Sequence, residues 1–259
     1  MKIGAIIQAR MTSTRLPGKI LKEVFSGLTM LESCIARVHN VHEIDVVIVA
    51  TTTNHTDDPV IALCRKIVGK YPKLRWFRGS EMDVLSRYYF AAKEHGLTDV
   101  IRVTSDCPVI QPKIIRDMIL KYKELGPERC DYISNVKERT YPRGFDTEIF
   151  RFKALEEAYF DPMTSDTEKE HVTLYINTQS DRFKIVDHEQ DRDLSGYRLT
   201  VDTQDDIGLI RLIFTKLYAN DQMFDQDAII RLLESRPDWV QINSHIEQKS
   251  HLVRGVKRM

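Results

Sequence analysis

The chain contains 259 residues, of which 42% are apolar and 29% are charged, a composition that argues against disorder and predicts one globular domain with at most an appended lobe. The 38 Lys and Arg residues balance the 38 Asp and Glu residues, so no net charge attracts nucleic acid or an anionic membrane. Any anion-binding site must therefore be local.

The first apolar run, from Ile3 to Ile7, is too short for the core of a signal peptide or for a membrane-spanning helix. We therefore expect a cytoplasmic protein that does not contact membranes. The four cysteines are widely spaced and include no Cys-x-x-Cys pair. This spacing argues against a disulfide framework and a structural zinc site, and it predicts reduced thiols in or near the core.

Short apolar runs alternate with segments of helical period through the first half of the chain. The runs predict strands at residues 3–9, 45–50, 74–77, 100–104 and 131–135. The segments between them predict helices at 28–38, 58–68 and 112–123, and another that begins with a capping box of Ser80 and Asp83. This alternation predicts an α/β three-layer sandwich with a mostly parallel sheet. Ligands of such sheets bind at the carboxyl ends of the strands.

The alternation breaks after Asn135. An extra strand at 146–150, a helix at 152–160 and a helical segment at 166–178 predict an inserted small lobe over about residues 136–182. Strands at 183–186 and 197–201 and helices at 204–219 and 225–235 complete a single domain of residues 1–242. Residues 243–259 form a polar, basic tail without a period, and we predict no structure for it.

A basic loop at residues 8–19 follows the first strand directly and reads QARMTSTRLPGK. The loop places three cations, three hydroxyls and a Pro-Gly turn at the carboxyl edge of the sheet. Exposed backbone N–H groups, Arg side chains and a Lys charge are the groups that bind phosphates. The loop matches neither the P-loop nor the dinucleotide-binding motif. On composition alone, a solvated connection explains it as well as phosphate binding does.

Two aspartates follow predicted strands at the same edge of the sheet. Asp106 precedes Pro108 after one strand, and Asp202 ends another in which polar and apolar residues alternate. Mg²⁺ is commonly held by one or two carboxylates together with phosphate oxygens and water, which fits this pair. A structural role is open for each, because Asp202 or Thr203 could cap the next helix and Asp106 could support the turn before Pro108.

Residues 9–19 resemble the nucleotide-binding signature of sugar nucleotidyltransferases, in particular the cytidylyltransferases that activate 3-deoxy-2-ulosonic acids such as KDO and sialic acid. The match is to the branch called spore coat polysaccharide biosynthesis protein F, and it extends to about Tyr218. It includes five further blocks: Arg78-Gly79 with Asp83-Val84-Leu85, Thr104-Ser105-Asp106-Cys107-Pro108, Tyr141-Pro142-Arg143-Gly144, Glu170-His171-Val172-Thr173 and Val201-Asp202-Thr203. Gln204 departs from the Pro that relatives often have after the last block.

The resemblance implies a nucleotide-diphospho-sugar transferase-like fold. It also implies Mg²⁺-dependent transfer of CMP from CTP to a small acidic sugar, with release of pyrophosphate, for surface polysaccharide biosynthesis. The implied nucleotide contacts are Ala9, Arg10, Arg15, Lys19, Arg78, Asp83 and Ser105. Asp106 and Asp202 would hold Mg²⁺ and, with Lys19, form the catalytic set. A homodimer formed through the inserted segment is a further implication.

The expected sugar site comprises Arg143, Glu148, Glu170 and His171. The Arg143 guanidinium would bind the sugar carboxylate through two hydrogen bonds, and Glu148 would accept hydrogen bonds from sugar hydroxyls. Glu170 and His171 are adjacent on a predicted helix, so their side chains point about 100° apart. Both cannot face one ligand squarely, and one of them is predicted to be structural.

Two other functions fit the same motifs. A nucleotide-sugar-dependent glycosyltransferase of similar fold would also use a metal and a nucleotide, but it usually carries an Asp-x-Asp motif, and none lies near Asp106. A non-catalytic nucleotide-binding relative would keep the fold without turnover. The presence of Arg10, Lys19, Asp106 and Asp202 argues against this second alternative.

Overall fold

The computed structural model describes residues 1–247, which form nine strands and ten α-helices. The strands are β1 (Ile3–Gln8), β2 (Glu23–Phe25), β3 (Leu28–Thr29), β4 (Val46–Thr52), β5 (Leu74–Gly79), β6 (Asp99–Thr104), β7 (Tyr132–Ser134), β8 (Glu148–Arg151) and β9 (Ile185–Asp187). The α-helices are α1 (Met30–His39), α2 (Asp58–Ile67), α3 (Val84–Glu94), α4 (Pro112–Leu125), α5 (Phe152–Phe160), α6 (Asp166–His171), α7 (Leu174–Asn177), α8 (Gln204–Leu217), α9 (Gln226–Ser235) and α10 (Pro237–Val240).

Seven strands form one sheet in the order β5-β4-β1-β6-β8-β7-β9, while β2 and β3 form a separate hairpin. Neighbouring strands of the large sheet are parallel except at β8, which runs antiparallel to both β6 and β7. The mostly parallel α/β sandwich is therefore confirmed. Successive residues of a strand point to opposite faces, and accordingly Ile6 and Ile7 of β1 belong to two different hydrophobic clusters. Helices cover both faces.

Residues 136–182 contribute to the sheet as well as to one of its faces. β8 takes an interior position between β6 and β7. Leu155 of α5 and Tyr88 of α3 are fully buried in one hydrophobic cluster, so the inserted helices share a core with the central domain. The helix predicted over residues 166–178 is divided into α6 and α7, because Val172 between them has a φ of 54°.

Residues 197–201 are extended but do not join the large sheet, so the sheet strand predicted there is wrong. The N–H of Leu199 donates to the carbonyl of Arg143 at 2.7 Å, and the N–H of Val201 donates to that of Asp106 at 2.9 Å. The segment pairs with loops because β6 already pairs with β1 on one side and β8 on the other. Residues 197–201 nevertheless place Asp202 near the carboxyl end of β6.

Folded structure extends past residue 242, where the sequence pattern predicts that the domain ends. Asn243, the first residue of the predicted tail, is 3% exposed and therefore belongs to the folded domain. It follows α10, a short helix that buries Trp239 and that the sequence analysis did not predict. Residues 248–259 of the predicted tail lie outside the described residues.

The cysteines lie where the sequence spacing predicts them. Cys34, Cys64, Cys107 and Cys130 are buried free thiols, as predicted. Within residues 1–247, every helix is too short or too polar to cross a membrane.

Candidate active site

The basic loop forms a compact turn over the carboxyl end of β1. Gly18 donates its N–H to the carbonyl of Met11 at 3.0 Å and so closes the turn. Gly18 has a φ of 66°, a conformation that glycine adopts without the steric cost of a Cβ. The closed turn brings Arg15 and Lys19 to the two aspartates near the carboxyl end of β6.

The Lys19 ammonium group lies between the two predicted metal-binding aspartates. Its Nζ is 3.1 Å from Oδ2 of Asp106, 2.9 Å from Oδ1 of Asp202 and 2.6 Å from the carbonyl oxygen of Val201. These three acceptors use all three N–H donors of the ammonium group. Burial lowers the pKa of Lys19, but Asp106 and Asp202 outweigh burial and raise it above the ordinary value. Lys19 is therefore a buried, permanently charged group at neutral pH.

The second carboxylate oxygen of Asp202 forms ion pairs with two arginines. Oδ2 lies 2.8 Å from Nη2 of Arg15 and 2.9 Å from Nη2 of Arg198. Burial raises the pKa of Asp202, but Lys19, Arg15 and Arg198 outweigh burial and hold it below the usual value. Asp202 is therefore ionised at neutral pH, as a metal ligand must be.

Asp206 fixes the position of Asp202 by binding its main chain and its partner Arg198. Its fully buried carboxylate accepts hydrogen bonds from the N–H groups of Asp202 and Thr203 at 2.8 and 2.9 Å, from Nε of Arg198 at 2.9 Å and from Nδ2 of Asn243 at 2.8 Å. Thr203 and Asp206 form the capping box of α8, which confirms the helix cap expected at Thr203. Sequence analysis missed Arg198 and Asp206, although the acidic residue three positions after Thr203 was a capping signal.

The main chain of Asp106 is hydrogen-bonded to the segment that precedes Asp202. The Asp106 carboxylate lies on the solvent-exposed side of the site. The carbonyl of Asp106 accepts hydrogen bonds from the N–H of Val201 and from Oγ1 of Thr200, the latter at 3.2 Å. Its side chain is 26% exposed, whereas that of Asp202 is 11% exposed. A ligand arriving from solvent therefore meets Asp106 first.

Gly144 allows the Asp202 segment to lie close to the loop before β8. A Cβ on Gly144 would lie 2.5 Å from the carbonyl carbon of Leu199, and Gly144 has a φ of 106°. We expect Gly144→Ala to lower the free energy of unfolding by about 1–3 kcal/mol, measured by chemical denaturation. Gly196→Ala is the control, because a Cβ there meets no atom within 4 Å. If the two variants were equally stable, the Leu199 segment could move away from the added methyl group at little cost, and the close approach would not require glycine.

A second polar group lies on the β5 side of the basic loop. Nη1 of Arg10 is 3.9 Å from Oε1 of Glu81, and Oγ1 of Thr12 donates to the same oxygen at 2.6 Å. Oε2 of Glu81 accepts from Nδ2 of Asn54. The basic loop thus divides its predicted phosphate-binding residues between two places, with Arg10 on this side and Lys19 on the other.

Arg78 and Asp83 have internal partners at the starts of helices. Arg78 donates to Oδ1 of Asp58 at 2.7 Å, to the carbonyl of Thr52 at the end of β4 at 2.7 Å and to the carbonyl of Asn54 at 2.8 Å. Asp83 is itself the N-cap of α3 and accepts from the N–H of Ser86 at 2.8 Å. The predicted helix start at Ser80 is therefore wrong by three residues, and Ser80 accepts from the N–H of Asp83.

Ala9 and Ser105, two further predicted nucleotide contacts, extend the pairing of the central strands. The N–H of Ala9 donates to the carbonyl of Ala50 at 3.0 Å, and the N–H of Ser105 donates to that of Gln8 at 3.2 Å. Both residues are buried at the strand ends. Ala9 and Ser105 therefore lie in the buried base that supports the basic loop and the turn at Asp106.

Asp57 is a fully buried carboxylate that the sequence analysis missed. Its Oδ1 accepts from the N–H of Met11 at 2.8 Å, and its Oδ2 accepts from the N–H and hydroxyl of Thr52 at 3.1 and 2.6 Å and from the hydroxyl of Thr51 at 2.9 Å. Asp57 therefore ties the basic loop to the end of β4. The sequence offered no signal that separates it from its neighbour Asp58.

Arg143, predicted to bind the sugar carboxylate, lies beside the segment that carries Asp202. Its main chain pairs with that of Arg198, but its guanidinium forms no hydrogen bond or ion pair with any residue among 1–247. Burial and the nearby charges of Arg139 and Arg198 lower the pKa of Arg143, and the charge of Asp146 offsets part of this effect. Arg139 itself is paired with Asp146 through two hydrogen bonds of 2.7 and 3.0 Å. An anion beside Arg143 would relieve this accumulation of positive charge.

Glu148 is bound internally. Oε1 accepts from Tyr132 at 2.5 Å and from Thr173 at 2.7 Å, and Oε2 accepts from Arg102. Burial raises the pKa of Glu148, but Arg102, Thr173 and Tyr132 outweigh burial and keep it below the usual value. Because all these partners are protein groups, the predicted contact with sugar hydroxyls gains no support.

Glu170 and His171 lie at the end of α6. Glu170 is exposed, whereas His171 is half-buried and the last residue of the helix. The carbonyl of His171 accepts from the N–H of Thr173 at 2.5 Å. Their proposed roles in sugar binding remain predictions.

Asp106 and Asp202 are suited to hold Mg²⁺. Their carboxylates and the carbonyl of Val201 converge within 3.1 Å of one point, where Lys19 now lies. Within residues 1–247, no group of three or more His, Cys, Asp or Glu side chains is arranged to hold a metal. Two carboxylates suit a hard cation that takes its other ligands from substrate phosphates and water.

The sequence model of the cytidylyltransferase family matches residues 4–256. The chain belongs to the cytidylyltransferase family. The resemblance carried by residues 9–19 and the later blocks is therefore confirmed, and the protein is a nucleotidyltransferase of this family.

Two relatives within the family align with almost the whole chain. The uncharacterised protein MJ1063 of Methanocaldococcus jannaschii is 34% identical over 255 residues, which cover 97% of this chain and 98% of that protein. The spore coat polysaccharide biosynthesis protein SpsF of Bacillus subtilis is 31% identical over 239 residues, which cover 90% of this chain and 94% of that protein. Both alignments reach beyond the basic loop into the C-terminal half.

Solved cytidylyltransferase structures share the fold. A cytidylyltransferase from Leptospira borgpetersenii serovar Hardjo-bovis superposes with a TM-score of 0.85 at 33% identity, covering 96% of this chain and 100% of that chain. A CMP:2-keto-3-deoxy-manno-octonic acid synthetase complexed with CTP has a TM-score of 0.62 at 17% identity, covering 83% of this chain and 99% of that one. The second likeness concerns the fold alone.

Proposed function

We propose that this protein is a Mg²⁺-dependent cytidylyltransferase that transfers CMP from CTP to an acidic sugar, with release of pyrophosphate. We place the reaction in the cytoplasm and in surface polysaccharide biosynthesis, the process named in the SpsF relative. The observation that supports the proposal most strongly is the contact of Lys19 and Arg15 with Asp106 and Asp202. This cluster would supply cations for phosphates and carboxylates for a metal, which nucleotidyl transfer requires.

A bound nucleotide would lie along the carboxyl edge of the sheet. The Arg10 and Glu81 group lies beyond β5, and the Lys19 and Asp106 group lies beyond β6, three steps away in the strand order β5-β4-β1-β6. At about 4.8 Å per step, the two groups are about 14 Å apart. With its phosphates at Lys19, CTP would extend past Ala9 toward the end of β5.

The chemistry is an in-line displacement at the α-phosphorus of CTP. The sugar hydroxyl oxygen forms a bond to that phosphorus, the bond to the bridging oxygen breaks, pyrophosphate leaves and the hydroxyl proton is released. Lys19 and Arg15 would neutralise charge that grows on the phosphates, and their contacts would help to hold the reacting atoms in line. Asp106 and Asp202 would hold Mg²⁺, which acts as a Lewis acid on phosphate oxygens when bound.

Arg143 supports an acidic sugar as the acceptor. Its half-buried guanidinium lies near Arg139 and Arg198 and pairs with no carboxylate among the described residues. The carboxylate of a ulosonic or sialic-type acid would supply both the missing acceptors and the missing negative charge. The acid named for the CTP-bound fold neighbour has this chemistry.

Asp57→Asn is expected to raise the KM for CTP about tenfold while changing kcat less. The amide weakens the bond that holds the N–H of Met11, so the basic loop loses its binding conformation, and about 1.4 kcal/mol corresponds to tenfold. Asp45→Asn is the matched control, because Oδ2 of Asp45 accepts from the N–H of Ile3 at 2.7 Å at the opposite end of β1. Steady-state kinetics that give both variants the same KM would contradict the positioning role.

An exposed aromatic surface on α3 and α5 supports the expected homodimer. Phe90 is 43% exposed and Phe160 is 63% exposed, and both rings pack edge-on against Tyr159. Exposed apolar patches of this kind mark interaction sites. We expect Phe160→Asp to convert a dimer to a monomer in sedimentation velocity, whereas Leu120→Asp on α4, 45% exposed, leaves it intact. A monomeric wild-type protein would contradict the proposal.

A thermal-shift panel of the four nucleoside triphosphates, with and without Mg²⁺, tests the assignment. We expect CTP with Mg²⁺ to stabilise the protein most, by about 2.7 kcal/mol at a ligand concentration of 100 times Kd. Equal stabilisation by all four nucleotides would contradict a cytidylyltransferase. Stabilisation by a nucleoside diphosphate sugar in place of CTP would favour the glycosyltransferase alternative.

A further inference from the structure

Lys19 lies at the point that a divalent cation would need. A cation held by Asp106 and Asp202 together would contact the same oxygens that now accept the hydrogen bonds of the ammonium group at 3.1 and 2.9 Å. Lys19 is 8% exposed and has no N–H donor left for solvent. Two cations cannot share one position, so Lys19 has to withdraw before both carboxylates can bind a metal.

The charges around Lys19 are already balanced without a metal. Three carboxylates and three cations are joined by direct contacts: Asp106, Asp202 and Asp206 with Lys19, Arg15 and Arg198. Adding a divalent cation alone would leave the cluster with two uncompensated positive charges, which is costly in a largely buried site. A triphosphate removes this cost, because it brings negative charge and new acceptors for the displaced ammonium group.

We propose that Lys19 closes the metal site in the nucleotide-free protein and that the triphosphate of CTP opens it by attracting Lys19 away from the aspartates. Arg15, whose side chain is 29% exposed, is the more accessible cation and would meet the phosphates first. The inference rests on the proposed function and adds a binding order to it. The metal binds with or after the nucleotide, and metal and nucleotide strengthen each other's binding by the same factor.

Mn²⁺ binding to the full chain without nucleotide tests the closed site, with the EPR signal of free Mn²⁺ as the readout. We expect Lys19→Met to bind Mn²⁺ at least about tenfold more tightly than the wild-type protein, because the two carboxylates are then open. Lys22→Met, three residues further along the chain, is the control and should match the wild type. Lys19→Gln provides a second test if the Met variant does not fold.

Mn²⁺ binding by the nucleotide-free wild type that is as tight as binding by the Lys19 variants would overturn the closed site. A calorimetric titration of wild-type protein with CTP, with and without Mg²⁺, separates this failure from a failure of the proposed function. Absence of CTP binding in the presence of Mg²⁺ would contradict the function itself. CTP binding that Mg²⁺ strengthens at least about tenfold, together with weak Mn²⁺ binding by the nucleotide-free protein, supports both.

Discussion

Replacing Asp106 with Asn is expected to lower kcat at least about 100-fold while leaving the fold intact. The amide keeps the size of the side chain but removes the charge that a metal requires and that now faces Lys19 at 3.1 Å. Because the Asp106 side chain is 26% exposed, the loss of its charge should change stability much less than turnover. Pyrophosphate release under saturating CTP and Mg²⁺ measures the first effect, and thermal unfolding measures the second.

Asp205→Asn is the matched control for Asp106→Asn. Asp205 is 53% exposed in the first turn of α8, and its carboxylate contacts only His245 among the described ion pairs. Its replacement should leave turnover within about twofold of the wild type. Near-normal turnover of Asp106→Asn itself would remove Asp106 from the metal site.

Replacing Arg198 with Met is expected to lower the free energy of unfolding by about 3–5 kcal/mol, because it leaves buried carboxylates without their partner. Arg198 pairs with Asp202 at 2.9 Å and with the fully buried Asp206 at 2.9 Å. Arg211→Met on the exposed face of α8 is the control and should cost less than about 0.5 kcal/mol. Urea denaturation compares the two variants at pH 7.

The pH dependence of stability gives an independent test of the Arg198 pair. Burial raises the pKa of Asp206, but Arg198, the N–H of Asp202 and Asn243 outweigh burial and keep it below the ordinary value of 3.8. The stabilisation is therefore present above about pH 4 and is lost as the pH falls through the lowered pKa. The difference between wild type and Arg198→Met should shrink in that range. A difference that does not depend on pH would contradict the ion pair as the cause.

The sequence predicted the central pocket because its parts follow from local pattern and topology. An apolar run followed by a basic loop, and a second run followed by Asp106, place Lys19 and Asp106 at one edge of a parallel sheet. The alternating pattern at 197–201 added Asp202, and the resemblance supported its role. The structure places all three side chains in contact.

The supporting residues could not be predicted, because their partners come from distant parts of the chain. Asp57 binds the N–H of Met11, 46 residues earlier, and Asp206 binds Asn243, 37 residues later. The wrong strand at 197–201 has a related cause. Its alternating polar and apolar residues are typical of a sheet strand, but only the finished sheet shows that β6 has no free edge.

The most direct test of the central claim, that one pocket transfers CMP, is pyrophosphate release from CTP in the presence of Mg²⁺ and a panel of ulosonic and sialic-type acids. We predict release that requires both Mg²⁺ and one of the acids, matched mole for mole by a CMP-sugar. Binding of CTP without release for any acid, in protein that unfolds cooperatively, would contradict the claim and favour a nucleotide-binding relative that lacks turnover.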